Sequence, residues 1–191
     1  MSKTIFLIPG FKTQISDAQY LWLVSYLESK KYTVHAVPIH WNNQTLSQNA
    51  AEFINFFASK KTKNNYLLGF PYGAVIAILT AEQVKPKKLI LCSLSADFKE
   101  DTKAMPVWIR SYIGKRRFKD ITTRSAVQLA TSLKTETVIL YGQQEGIDYP
   151  QLKKRCEETA KLAKNSKLIV VKNAPHDISF PAYQAAIKKV I

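Results

Sequence analysis

The sequence holds only two cysteines and three histidines in 191 residues. Cys92 falls in an apolar run that reads as a buried strand and Cys156 in a helical run, with no ligand spacing between them. Two isolated thiols are expected, not a disulfide framework. The histidines stand apart at positions 35, 40 and 176, so neither a metal nor another cofactor is expected. No apolar run approaches the roughly 20 residues of a membrane span. Residues 5–8 are too short for a signal-peptide core and run into Pro9-Gly10-Phe11 where a small-residue cleavage site would follow, so a cytoplasmic protein with no membrane partner is expected. Acidic residues are scarce, 14 against 28 lysines and arginines, for a net charge of +14. That balance invites a nucleic-acid reading, but the cations are dispersed (60, 61 and 63; 85, 87 and 88; 153–155; 188 and 189) and no nucleic-acid-binding signature accompanies them. A solvated basic surface with weak, unspecific attraction to polyanions is the expectation. Internal repeats and low-complexity tracts are absent.

What is present is an ordinary globular composition, 46% apolar and 22% charged, in a length that suits one domain, residues 1–191. Short β-rich runs alternate with helical runs. Strands are predicted at 4–8, 33–37, 66–68, 88–94, 137–141 and 167–171. Helices are predicted from Ser16-Asp17 to about 30, from Thr45 or Ser47 onward, at 72–84, 150–162 and 180–191. This alternation implies βαβ units, a mostly parallel six-stranded sheet and helices on both faces. Residues 96–136 break the pattern and carry a helical run at 125–133.

The organising stretch is Tyr66-Leu67-Leu68-Gly69-Phe70-Pro71-Tyr72-Gly73-Ala74-Val75-Ile76-Ala77: an apolar strand, a glycine-bracketed turn, then small and apolar residues at helical spacing. By itself Gly69-x-x-x-Gly73 can be a tight turn with small residues for close packing. It also resembles the nucleophile elbow G-x-S-x-G of the α/β-hydrolases, with Pro71 where the serine belongs. Three further stretches carry the resemblance: Ile8-Pro9-Gly10-Phe11 after the first strand, Tyr141-Gly142-Gln143-Gln144-Glu145-Gly146-Ile147-Asp148 after the fifth, and Asn173-Ala174-Pro175-His176-Asp177 after the sixth. Their order is that of nucleophile, acid and histidine in these enzymes.

The resemblance, to small single-domain serine hydrolases of the esterase type, implies a sheet order of 2-1-3-4-5-6 and a small helical cap made by residues 96–136. It implies His176 as the catalytic histidine and Glu145 as the acid, with Asp148 as the alternative and Asp97 as a spare. It implies backbone donors to an oxyanion at Phe11 and Tyr72. A small-molecule ester or related compound is the implied ligand.

Proline fixes φ near −65° and has no N–H. It removes the hydroxyl and opposes the positive φ of an elbow, so a relaxed turn is expected, with the Phe70–Pro71 peptide a candidate for cis. Cys92, Ser93 and Ser95 lie at the next strand end, where Ser93 or Ser95 could stand in as nucleophile; bonds to their local backbone are the plainer expectation. In the cap, Arg110, Lys115, Arg116, Arg117 and Lys119 alternate with Trp108, Tyr112 and Phe118. A basic lid of this kind favours an anionic ligand, unless the cations are solvated and the aromatics pack onto the body. Two functions stay open: a hydrolase disabled or impaired at Pro71, and a binding module that uses the former pocket. One base substitution separates serine from proline.

Overall fold

The computed structural model describes residues 3–191. In β1 (Lys3–Ile8) Ile5 and Leu7 face one side and Phe6 and Ile8 the other, and both sides are buried. The same alternation runs through β3 (Asn65–Gly69), β4 (Lys88–Cys92) and β5 (Glu136–Gly142). Strands apolar on both faces suit a parallel sheet covered on both sides. With β2 (Tyr32–Ala36) and β6 (Ser166–Val171) at the edges they form an all-parallel sheet in the order β2-β1-β3-β4-β5-β6, as expected.

Two apolar cores follow. Tyr20, Leu23 and Leu27 of α1 (Ala18–Ser29) and Tyr183, Ile187 and Val190 of α8 (Pro181–Val190) fill one face. The other is filled by α2 (Leu46–Lys60), α3 (Tyr72–Val84) and α7 (Pro150–Leu162). Of the two starts considered for α2, the chain uses Thr45, whose hydroxyl accepts from the Gln48 N–H while the Gln48 side chain accepts from the Thr45 N–H. The elbow glycines are required by close approach: a Cβ on Gly69 would lie 2.2 Å from the Gly73 carbonyl oxygen, and one on Gly73 2.0 Å from that of Ile8. The packing reading of the glycine pair therefore holds whatever the chemistry.

Between β4 and β5 lie a short 3-10 turn (Lys99–Asp101), α4 (Val107–Ile121) and α5 (Ala126–Ser132). Gly114, at φ +80°, breaks α4 into two pieces. α5 buries Ala126 and Ala130 and packs against α7 and α3, as part of the body; α4 keeps Val107, Trp108 and Tyr112 largely exposed. A buried ion pair, Arg155 Nη2 to Asp101 Oδ1 at 2.5 Å, ties the start of this segment to α7. Among the described residues no helix is long and apolar enough to cross a membrane.

Candidate active site

Parallel strands deliver their C-terminal ends to one edge of the sheet, where ligands of open α/β sheets bind. β3 delivers Pro71, β5 delivers Glu145 and the turn after β6 delivers His176. Pro71 is the N-cap of α3 at φ −74°, ψ −35°, so the turn is relaxed, as proline demands. The Phe70–Pro71 peptide, a candidate for cis, is trans, as is every peptide among the described residues. The pyrrolidine ring sits against the first loop, and a Cβ on Gly10 would come 2.8 Å from Pro71 Cδ.

Glu145 lies fully buried on α6 (Gln143–Asp148), a short helix where the sequence suggested a loop. The buried turn is stabilised because Glu145 Oε2 accepts from the Gly142 N–H at 2.7 Å, a side-chain bond back to the start of the helix. The same oxygen accepts from Ser93 Oγ at 3.0 Å. The other, Oε1, accepts from His176 Nδ1. With the proton held on Nδ1, Nε2 is the basic nitrogen, and it has no hydrogen-bond partner among the described residues. The ring lies on Phe70, centroids 5.0 Å apart with planes at 29°, and Tyr149 meets it edge-on at 5.6 Å.

The alternative acids lie elsewhere. Asp148 is exposed and accepts from Gln144 Nε2 at 3.0 Å. Asp97 neither bonds His176 nor has any hydrogen-bond or ion-pair partner among the described residues. Ser93 also departs from expectation. It does not bond its local backbone through Oγ; it is buried at φ +56° and joins Glu145 to Tyr183, whose hydroxyl lies 2.8 Å away and donates to the Leu140 carbonyl at 3.2 Å. Ser93 thus stands behind the carboxylate and away from the ring's free nitrogen. Nothing in the sequence marked this network except the position of Ser93 just past the end of β4. Burial pushes the Tyr183 hydroxyl and the Cys92 thiol far up, so both stay protonated. His35 packs against Phe6 and Phe56, and His40 pairs with Glu52.

The two residues expected to supply oxyanion donors are neighbours, their rings 5.8 Å apart. Tyr72 begins α3, where the first N–H groups have no acceptor within the helix. The Phe11 N–H is likewise unpaired among the described residues. Both side chains belong to an aromatic cluster with Trp41 and Tyr112, at centroid distances of 5.1–6.3 Å. Asn49 Nδ2 donates to the Tyr72 hydroxyl at 2.9 Å, and burial pushes that phenol up to about 12.

Two cavities meet at Pro71. One, of about 290 Å³, runs under α4 between Phe11, Tyr72, Tyr112 and Arg117. The other, of about 510 Å³, is bordered by His176, Tyr149, Asp101 and Asp148. Pro71, Ser95, Asp97, Trp108 and Ile109 border both.

The lid's cations do not face this space as a group, while its Tyr112 packs on Phe11 and accepts from Lys12 Nζ at 2.9 Å. Arg110 donates to the Met105 and Thr102 carbonyls, and Arg116 to the Asn43 carbonyl and Gln48. Only Arg117 borders one of these cavities, and it donates to the Trp41 and Gln44 carbonyls. These contacts give no support to the expectation that the lid favours an anion; Trp108 stays exposed, whereas Tyr112 meets Phe11 of the body.

No family model and no curated protein matches the sequence. Solved structures do match in shape. Alpha/beta hydrolase domain-containing protein 10 from mouse aligns over 98% of this chain and 87% of its own at TM-score 0.80 and 13% identity. Est1E from Butyrivibrio proteoclasticus aligns over 99% and 88% at TM-score 0.77 and 15% identity. An esterase from Pyrococcus furiosus aligns over 99% and 79% at TM-score 0.70 and 16% identity. At such identities the likeness shows the fold, and the fold is that of the α/β-hydrolases.

Proposed function

We propose that this α/β-hydrolase-fold chain is a relative of the serine esterases, with α4 of the 96–136 segment as its cap, disabled or impaired because Pro71 stands where the nucleophile belongs. The observation that carries the reading is the Glu145–His176 pair, set beside a cavity that Pro71 also borders.

The assigned roles follow from the chemistry of acyl transfer. A serine hydroxyl at position 71 attacks the ester carbonyl while His176 Nε2 takes its proton and later returns it to the leaving alcohol. Glu145 fixes the tautomer and offsets the charge of the imidazolium. The N–H groups of Phe11 and Tyr72 receive the negative charge of the tetrahedral intermediate. With proline in place the first step has no nucleophile. Water oriented by His176 and the two donors then supplies only the residual catalysis that survives loss of a triad member.

The test is Pro71→Ser, assayed with a short-chain aryl ester, alone and with His176→Ala. Turnover that appears with serine and vanishes with the second change supports the reading. A second reading, a ligand-binding module without turnover, draws on the two cavities that meet at the proline. It is favoured if the serine form is folded and inactive.

A further inference from the structure

Among the described residues Asp97 is the one carboxylate that borders both cavities, and the proposed chemistry leaves it unused. It borders both cavities and makes no hydrogen bond or ion pair among the described residues. It is half-buried. An unpaired carboxylate in such a place is costly unless something pairs with it.

The cation that acts on Asp97 is Arg124, whose Nη2 donates to Asp120 and Ser47 and whose buried Nε and Nη1 have no hydrogen-bond partner among the described residues. On the remaining sides stand Asp101, held by Arg155, and the exposed Asp148; His176 is occupied by Glu145 through Nδ1. The larger cavity is therefore bordered by three aspartates and by no lysine or arginine, in a chain whose net charge is +14. The overall field repels a cation, so any preference for one has to come from this cavity. Trp108 and Tyr149 border it as well and offer the aromatic surface that alkylammonium groups favour.

We propose that the cavity beside His176 receives the ammonium-bearing end of a small-molecule ligand, with the Asp97 carboxylate as its anchor and Trp108 and Tyr149 as aromatic walls. The claim names the ligand class of the site described above and rests on that site being a ligand site, but not on turnover. It also reverses the polarity that the basic residues of the cap suggest.

Binding to the unmodified chain tests it without any catalysis. Calorimetric titration at neutral pH compares 3-(trimethylammonio)phenol with its neutral isostere 3-tert-butylphenol. The ammonium compound is expected to bind about tenfold or more tightly, and Asp97→Asn to bring the two within about twofold. Asp97→Ser serves as a second variant, and a thermal melt of each confirms a folded protein. Equal binding of the isosteres by the unmodified chain overturns the proposal and means that Arg124 suffices for Asp97; so does a preference that survives both substitutions. An inactive Pro71→Ser form with the preference intact removes only the hydrolase reading. An active one without the preference removes only this inference.

Discussion

The imidazole of His176 is held on two sides at once: Glu145 grips its Nδ1 edge, and the ring of Phe70 lies under its face at 5.0 Å. Phe70 is the residue before Pro71, so the turn after β3 that carries the proposed nucleophile position also carries the support of the proposed base. Phe70 is buried and also meets Tyr20 and Tyr183. Phe70→Leu is expected to cost about 1–2 kcal/mol in chemical denaturation, since it leaves a small cavity and loses ring contacts. In the Pro71→Ser background it should also lower kcat more than it raises KM, because a loosened ring misplaces the base. An unchanged kcat in a destabilised protein contradicts the positioning role.

Glu145→Gln keeps the shape of the acid and removes the charge. In the Pro71→Ser background kcat is expected to fall by up to about 10⁴-fold, the loss seen when a triad aspartate becomes its amide. Ser93→Ala removes one donor to Glu145 and the partner of Tyr183, and should cost far less in kcat. If the two variants lose equal activity, the carboxylate acts through the network alone, and its direct grip on Nδ1 is not what matters.

Asp97 makes stability depend on pH in a direction opposite to that of most carboxylates. Burial raises it from 3.8 to about 6, with Asp101 adding to the rise and Arg124 opposing it. Between those values the folded chain holds a proton that the unfolded chain has lost. This contribution therefore weakens stability as pH rises through the window, and the full penalty stands above it. Asp97→Asn is expected to stabilise the protein by roughly 2–3 kcal/mol at neutral pH, and by little at acid pH where both forms are neutral. Urea midpoints of the two proteins across that range give the difference directly. A variant less stable at neutral pH would mean that the carboxylate has a partner after all.

Gly73 has no room for a side chain, because the nearest atoms to an added Cβ are the Ile8 and Pro9 backbone. Gly73→Ala is expected to cost about 3 kcal/mol or more, since backbone cannot step aside as a side chain can. Gly10→Ala is different. Its closest clash is with Pro71 Cδ, so the penalty should shrink in the Pro71→Ser background, where that atom is gone. A double-mutant cycle on thermal unfolding reads this coupling, and its absence would mean that the Phe70 carbonyl and the Tyr20 hydroxyl decide the clash.

The sheet was legible because each central strand declares two buried faces, as Ile5, Phe6, Leu7 and Ile8 do, and because proline or glycine ends several of them. The meeting of Glu145 with His176 was legible only through the resemblance, since 31 positions separate them in sequence. The short helix around Glu145 was not. Gly142 and Gly146 bracket the run and read as a loop, but its glutamines and glutamate suit a helix and the buried Glu145 carboxylate caps it by accepting the Gly142 N–H. The environment of Asp97 was equally hidden. Whether a carboxylate beyond a strand end finds a partner depends on where Arg124 and Arg155 turn, and both turn to other aspartates. The lid misled for the same reason: its arginines bind backbone carbonyls, which no charge pattern reveals.

The central claim is that a working hydrolase site surrounds Pro71. The most direct measurement is kcat/KM for a short-chain aryl ester with the unmodified chain, Pro71→Ser, and Pro71→Ser with His176→Ala. Position 71 sits in relaxed helical geometry, and serine also restores freedom to the unfolded chain. The single variant is therefore expected to be less stable than the parent by about 1 kcal/mol. The account predicts turnover in the serine form at least about 100-fold above the parent, and its loss in the double variant, as removal of a triad base requires. A folded serine form no faster than the parent, or one indifferent to His176→Ala, would contradict it.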